Sequence, residues 1–334
     1  MKELEIYTTD TDSGVISVVK KNGKSHSLIS QIDVGNAPRG AVKFTKDERG
    51  FVSNCGGDTI SEIDTNTHRE IARIKVGIAP RGMGIVTGDK FALVSNSGSN
   101  SISIVDLKTR KEVSQIAVGR DPRHMALSKN GKYAYICIWG SHYISKFYIE
   151  PLLKGDYLSN AIGEVGKIKL KGNVHPYSCA IHPDGKTLYV ATTQGETLPV
   201  IDLIKEKIEY EIELGSIGSR AITFTQNGEF VFVSIENTSE VVQIATKDKK
   251  IVNRVMVGPG PRGIAFDDNS WTLYASCFSR TTTIELLKND DAINMRNSLS
   301  IIEYGNEKNM KINNSKEIGI SVGKGPCSVA LLFR

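Results

Sequence analysis

The sequence predicts an all-β protein, a seven-bladed β-propeller with four antiparallel strands per blade. Three observations predict it. A phrase of the form V-G-x-x-P-R-G recurs along the chain, each period holds four short strand signals, and the last segment supplies the one strand that the first segment lacks.

The phrase is strong as VGNAPRG (34–40), VGIAPRG (76–82), VGRDPRH (118–124) and VGPGPRG (257–263). It is weaker as KGNVHPYS (171–178), LGSIGSR (214–220) and VGKGPCS (322–328). Its anchors are Pro38, Pro80, Pro122, Pro176, Ser219, Pro261 and Pro326, separated by gaps of 42, 42, 54, 43, 42 and 65 residues. A base period near 42 is the length of a four-stranded blade. The second full repeat shows the four strands in order: RGMGIV, FALVSN, SISIVDL and EVSQIAVG. They are rich in Val and Ile and bounded by Gly, Asn, Asp and Ser. The inner ones carry apolar residues on both parities, as strands buried on both faces do. No segment holds a 3.6-residue period over ten residues, apart from a weak stretch near 285–296.

The ends predict closure. LEIYTTD, GVISVVKK and SLISQIDVG read as second, third and fourth strands with no first strand before them, and PCSVALLFR reads as a lone first strand. Together they complete one blade and remove the open edges of the ring. Residues 1–334 are thus read as a single domain. The long gaps place an insertion near 150–163 between third and fourth strands, and another near 280–296 between second and third strands.

Composition fits a packed globule: 40% hydrophobic and 24% charged residues, net charge +5. The basic residues are scattered, with no run of five Lys or Arg, so nucleic acid is not favoured as a partner. No stretch nears the 18 apolar residues of a membrane span, and MKELEIYTTD has no apolar leader core, so a cytoplasmic protein is expected. The five cysteines (Cys55, Cys137, Cys179, Cys277 and Cys327) are odd in number and far apart, which suits reduced thiols.

The phrases NGKYAYI, PDGKTLYVATT, ISIVDLKTRKEVSQIAVG and the recurring V-G-x-x-P resemble the YVTN-family propeller repeat over essentially the whole chain. The resemblance implies a seven-bladed ring similar to surface-layer repeat proteins and to relatives with the lactonase and haem d1 propeller shape. Those relatives include binders, enzymes and structural modules, so the fold leaves the function open. There is no C-x-x-C-H motif for haem attachment, and no cofactor is expected.

In a propeller the first strands surround a central channel. The residue after each anchor therefore recurs around one mouth: Arg39, Arg81, Arg123, Tyr177, Arg220, Arg262 and Cys327. Five of seven are arginine. Two readings stand. The arginines brace the blades, with the repeating Asp64, Asp106 and Asp202 as partners. Alternatively they converge to bind a carboxylate or phosphate in their forks. Loops between second and third strands share this face and add Asn54, Asn96, Thr192 and Glu236, with Trp139 and His142 in the third repeat. Asparagine suits turns in its own right. Trp139 is either a stacking wall for a ligand or a cover for the blade edge.

His124 and His175 flank anchors and are candidates, with Glu236, for moving protons in an enzyme. The histidines lack HxH or HExxH spacing, so no metal site is expected. Cys327 beside arginines would favour a thiolate, or it is a small packing residue. The main functional expectation is a module that binds an anionic small molecule or an acidic peptide in an arginine-lined funnel. The alternative is a lactonase-like hydrolase or lyase using the same funnel.

Overall fold

The computed structural model describes residues 3–278, 297–306, 309–312 and 318–334. Seven antiparallel sheets form a ring. Blades 1 to 5 span residues 38–75, 80–117, 122–169, 176–213 and 219–256. Blade 6 holds Pro261–Asp267, Thr272–Cys277, Ser298–Asn306 and Ile318–Ser321, and the short strand Asn309–Ile312 pairs with the end of Ser298–Asn306. Blade 7 is composite. Its first strand, Pro326–Phe333, pairs antiparallel with Leu4–Asp10, in register from Leu4 against Phe333 to Asp10 against Pro326. All seven first strands start at the anchors. Neighbouring first strands touch all the way round, so they form the wall of the central channel.

Each position of the recurring phrase has a physical job. The chain crosses from one blade to the next at its glycine and presses on the new blade. A Cβ on Gly35 would sit 2.5 Å from the Asn54 amide, and one on Gly77 2.6 Å from that of Asn96. The residue before each anchor is left-handed: Ala37, Ala79, Asp121, His175, Gly218, Gly260 and Gly325 all have φ between 50° and 94°. For the four that are not glycine this conformation costs roughly 1–2 kcal/mol. Its carbonyl, so turned, accepts the N–H of the residue just past the second strand, namely Cys55, Ser97, Trp139, Thr193, Glu236, Phe278 and Thr11, at 2.9–3.1 Å. The second glycine lets first strands close on each other. A Cβ on Gly82 would lie 2.4 Å from the Arg123 carbonyl, and one on Gly40 2.5 Å from that of Arg81.

The core lies between blades. Phe51, Ile60 and Ile74 of blade 1 pack with Met83, Ala92 and Val94 of blade 2, and the pattern repeats around the ring. Burying such side chains stabilises by about 1.5–3 kcal/mol each. At the closure, Thr11 and Asp12 N–H groups donate to the Gly325 and Lys324 carbonyls, and buried Asp10 accepts from Ser17 and the Gly323 N–H.

The chain between the third and fourth strands of blade 3 folds into a short helix, α1 (Glu150–Leu153), and a loop. Leu152 and Ile162 tuck into the core between blades 2 and 3. The stretches 280–296 and 285–296 lie outside the described residues. All five cysteines are free thiols. No helix among the described residues is long and apolar enough to cross a membrane.

Candidate functional site

Two rings of seven side chains meet at one end of the channel. The inner ring follows the anchors: Arg39, Arg81, Arg123, Tyr177, Arg220, Arg262 and Cys327. The rim ring is set by the hydrogen bond from the left-handed residue: Cys55, Ser97, Trp139, Thr193, Glu236, Phe278 and Thr11. The inner arginines are half-buried, and their backbones are held by serines. Ser95 and Ser178 donate to the carbonyls of Arg123 and Arg220, and Ser234 donates to that of Arg262 at 3.2 Å.

On the blade 5 and 6 side, Glu236 bridges two guanidiniums. Arg220 Nε donates to Oε2 at 2.5 Å and Arg262 Nε to Oε1 at 2.8 Å. Arg220 lies over the Tyr177 ring at 4.7 Å and Arg262 over Phe278 at 4.0 Å. On the blade 3 side, Arg123 pairs with Asp121 at 2.6 Å and lies 4.9 Å from the Trp139 ring. Trp139 stacks on His175 at 4.1 Å and donates from Nε1 to Thr193 at 3.1 Å. His142 meets His175 edge-on at 4.3 Å.

The blade 1 and 2 side differs. Arg81 has Ser97 as its partner, donating from Nε at 3.0 Å. Arg39 Nε is buried without a hydrogen-bond partner, as is that of Arg123, but Arg39 has no ion pair among the described residues. Burial and then the nearby Arg123, with Arg39 beyond it, push the Arg81 pKa below its ordinary value. Below the mouth the channel opens into a cavity of about 200 Å³, whose wall includes Arg220 and Arg262 but not Arg39 or Arg81. Lys43 and His124 line it with Met83, Met125 and Tyr177. Burial lowers the pKa of Lys43, and burial followed by the charges of Lys43 and Arg123 lowers that of His124 to about 3, so His124 is neutral near pH 7. The His124 ring packs on Tyr177 at 5.1 Å.

Several expected residues lie elsewhere. Asn54 and Asn96 are the last residues of their second strands, so their amides turn into the blade. They donate to third-strand Ser61 at 2.8 Å and Ser103 at 2.7 Å, and neither residue is exposed. Thr192 is likewise buried in its blade. Asp64, Asp106 and Asp202 do not brace the arginines. They accept backbone N–H groups two and three residues on, closing the turns between third and fourth strands. His124 and His175 belong to different clusters, one in the channel and one at the rim. Cys327 is buried in the channel wall. The residues missed by sequence reasoning are Asp121, Lys43 and Phe278. No group of three or more His, Cys, Asp or Glu among the described residues is placed to hold a metal.

A family model described as the seven-bladed β-propeller lactonase matches residues 106–251, somewhat under half of the chain. No curated protein matches. Solved structures share the fold at low identity. Hydrazine synthase of Kuenenia stuttgartiensis is 19% identical with a TM-score of 0.69, covering 90% of this chain and 97% of that one. The periplasmic gluconolactonase of Pseudomonas aeruginosa is 15% identical with a TM-score of 0.76, covering 99% of both chains. A Bacteroides fragilis protein, provisionally named a 6-phosphogluconolactonase, is 16% identical with a TM-score of 0.80, covering 99% of this chain and 98% of that one.

Proposed function

We propose that the chain binds a small anionic molecule, a carboxylate or a phosphate, at the arginine-lined mouth of its channel. The charge balance there carries the reading. Five guanidiniums line the mouth, and two carboxylates, Asp121 and Glu236, pair with them among the described residues. Three positive charges stay uncompensated in a confined, partly desolvated space. Like charges in such surroundings repel by on the order of a few kcal/mol, and an anion held in the forks relieves that repulsion.

A second reading, hydrolysis of a lactone, is favoured by the lactonase match over 106–251, a stretch that holds Arg123, His124, Trp139, His175, Tyr177, Arg220 and Glu236. In it the guanidiniums hold the anionic tail and polarise the ring carbonyl. Water attacks the carbonyl carbon, an imidazole takes the water proton, the acyl C–O bond breaks, and the ring oxygen leaves with a proton. His124 is neutral near pH 7, but with a pKa near 3 it takes that proton only once a bound anion offsets the cations around it. Both oxygens of Glu236 are engaged by guanidiniums, so it positions Arg220 and Arg262 and does not serve as the base.

Calorimetric titration with gluconate and 6-phosphogluconate, together with pH-stat assays on the corresponding lactones, tests both readings. Binding by the wild type is expected, with loss of binding and of any turnover in Arg81→Ala/Arg123→Ala at a nearly unchanged melting temperature. Collapse of that variant's fold would show the arginines to be braces and would overturn the proposal.

A further inference from the structure

The seven inner positions are equivalent by repeat, yet their charges are not balanced evenly. Glu236 ties down Arg220 and Arg262, and Asp121 ties down Arg123. Over blades 1 and 2 the neighbouring rim residues are Cys55 and Ser97, neither of which carries a carboxylate. Arg39 keeps a buried, unpartnered Nε, and Arg81 is held by one hydroxyl. The cavity below the mouth presents Lys43, which has no ion pair among the described residues, and His124, on which the charges of Lys43, Arg123, Arg81 and Arg39 act, and its wall also holds Arg220 and Arg262. Tyr177, Phe278 and Cys327 stand among and beneath the paired arginines, with Tyr177 also against the His124 ring.

We propose that the arc formed by Arg39, Arg81, Lys43 and His124 is a phosphate subsite, and that the uncharged body of the ligand lies toward Tyr177 and the Glu236-bridged arginines. The inference rests on the reading of the mouth as an anion site and gives that site a direction. The donors fix the chemistry. Two guanidinium forks stand at the mouth, and an ammonium and an imidazole line the channel wall further in. Donors that do not share one plane suit the tetrahedral oxygens of a phosphoryl group better than a flat carboxylate. Gly82 serves the same arc: a Cβ there would lie 2.7 Å from the His124 Cα.

Titration of the full chain with inorganic phosphate, followed by phosphorus NMR, tests the assignment, with gluconate as the carboxylate arm. Wild type, Arg39→Gln, Lys43→Met and Arg262→Gln are compared after thermal melts confirm that each is folded. Arg39→Gln removes no ion pair, and Lys43→Met places a thioether beside Met83 and Met125, so both are expected to fold. Phosphate affinity should fall at least tenfold in each of these two and by clearly less in Arg262→Gln, whose charge Glu236 already shares with Arg220. Loss of binding in Arg262→Gln with retention in the other two would overturn the subsite while leaving the anion-binding mouth standing. Gluconate binding that depends on Arg39, with no phosphate binding, would overturn the assignment to phosphate. No response to either anion would remove both proposals.

Discussion

Arg81 and Arg262 occupy the same place in their repeats, two blades of one ring, and lead different lives. Arg262 lies on an aromatic ring and shares a carboxylate with Arg220. Arg81 touches one serine hydroxyl and is crowded by other arginines. Their pKa values move in opposite directions. Burial weakens the charge of both, but around Arg262 the groups Cys327, Glu236 and Tyr177 outweigh burial, whereas around Arg81 the neighbouring Arg123 and Arg39 add to it. Repetition thus sets where a side chain stands. The rim residue beside it decides whether the charge is paired within the fold or stays without a counter-charge.

The strongest way to break this contrast is to remove the bridge. Glu236→Gln should leave Arg220 and Arg262 partly buried without a counter-charge and lower stability by on the order of 3 kcal/mol. Urea unfolding would read it as a shift in midpoint without a change in slope. Arg81→Gln should change stability by less than about 1 kcal/mol, because it removes a strained like charge and one hydrogen bond. Equal losses in the two variants would mean that both sides are braced alike, and the contrast would fail.

The contrast can also be copied across the ring. Ser97 is the blade 2 counterpart of Glu236, so Ser97→Glu should bridge Arg81 and Arg123 as Glu236 bridges Arg220 and Arg262. The expected result is a gain in stability of about 1 kcal/mol with at least a tenfold loss of phosphate affinity, read by thermal melts and titration. A Ser97→Glu variant that binds phosphate as the wild type does would place the anion elsewhere.

The sequence carried much of this at a resolution of one residue, and the errors have that size. The anchors, the strand order and the composite seventh blade follow from spacing, because turn glycines and alternating apolar residues are local signals. The inner ring follows too, as each anchor plus one. The rim ring is each anchor plus 17 in six blades: Cys55, Ser97, Trp139, Thr193, Glu236 and Phe278. Asn54, Asn96 and Thr192 sit one residue short of it, and one residue in a strand turns a side chain to the other face. Their amides and hydroxyl therefore serve the blade interior. Asp64, Asp106 and Asp202 misled for another reason. A repeated carboxylate near repeated arginines invites pairing, but an Asp two residues before a turn is satisfied by backbone N–H groups. Asp121 was hidden because nothing in the string V-G-R-D-P-R marks the residue before proline as left-handed. Lys43 was hidden because a channel position is defined by the ring and not by its neighbours in sequence.

The smallest expected effect is a proton. In the free protein His124 titrates near pH 3, held there by burial and by Lys43, Arg123, Arg81 and Arg39. A bound phosphate brings negative charge to the same arc and raises that pKa toward the ordinary 6.5. Above about pH 6.5 both free and bound forms have neutral His124, and affinity is insensitive to its charge. Between there and pH 3 the complex takes up a proton that the free protein does not, so affinity rises as pH falls. Phosphate itself titrates in this window, so the readout is the difference from His124→Gln, which keeps a donor in the arc. From pH 7 to pH 5 wild-type affinity should gain severalfold relative to His124→Gln, and calorimetry in buffers of different ionisation enthalpy should register uptake of part of one proton more in the wild type. In the free protein the same group acts with the opposite sense on folding: its native pKa lies below the unfolded value, so its contribution to stability is complete above pH 6.5 and is lost as acid approaches pH 3. Asp10 at the closure, raised to about 6 by burial, works against it between its unfolded value and pH 6, because there the folded state holds the extra proton. Equal proton uptake in the wild type and His124→Gln would move the linkage away from the channel and blunt the distinction between the two sides of the mouth.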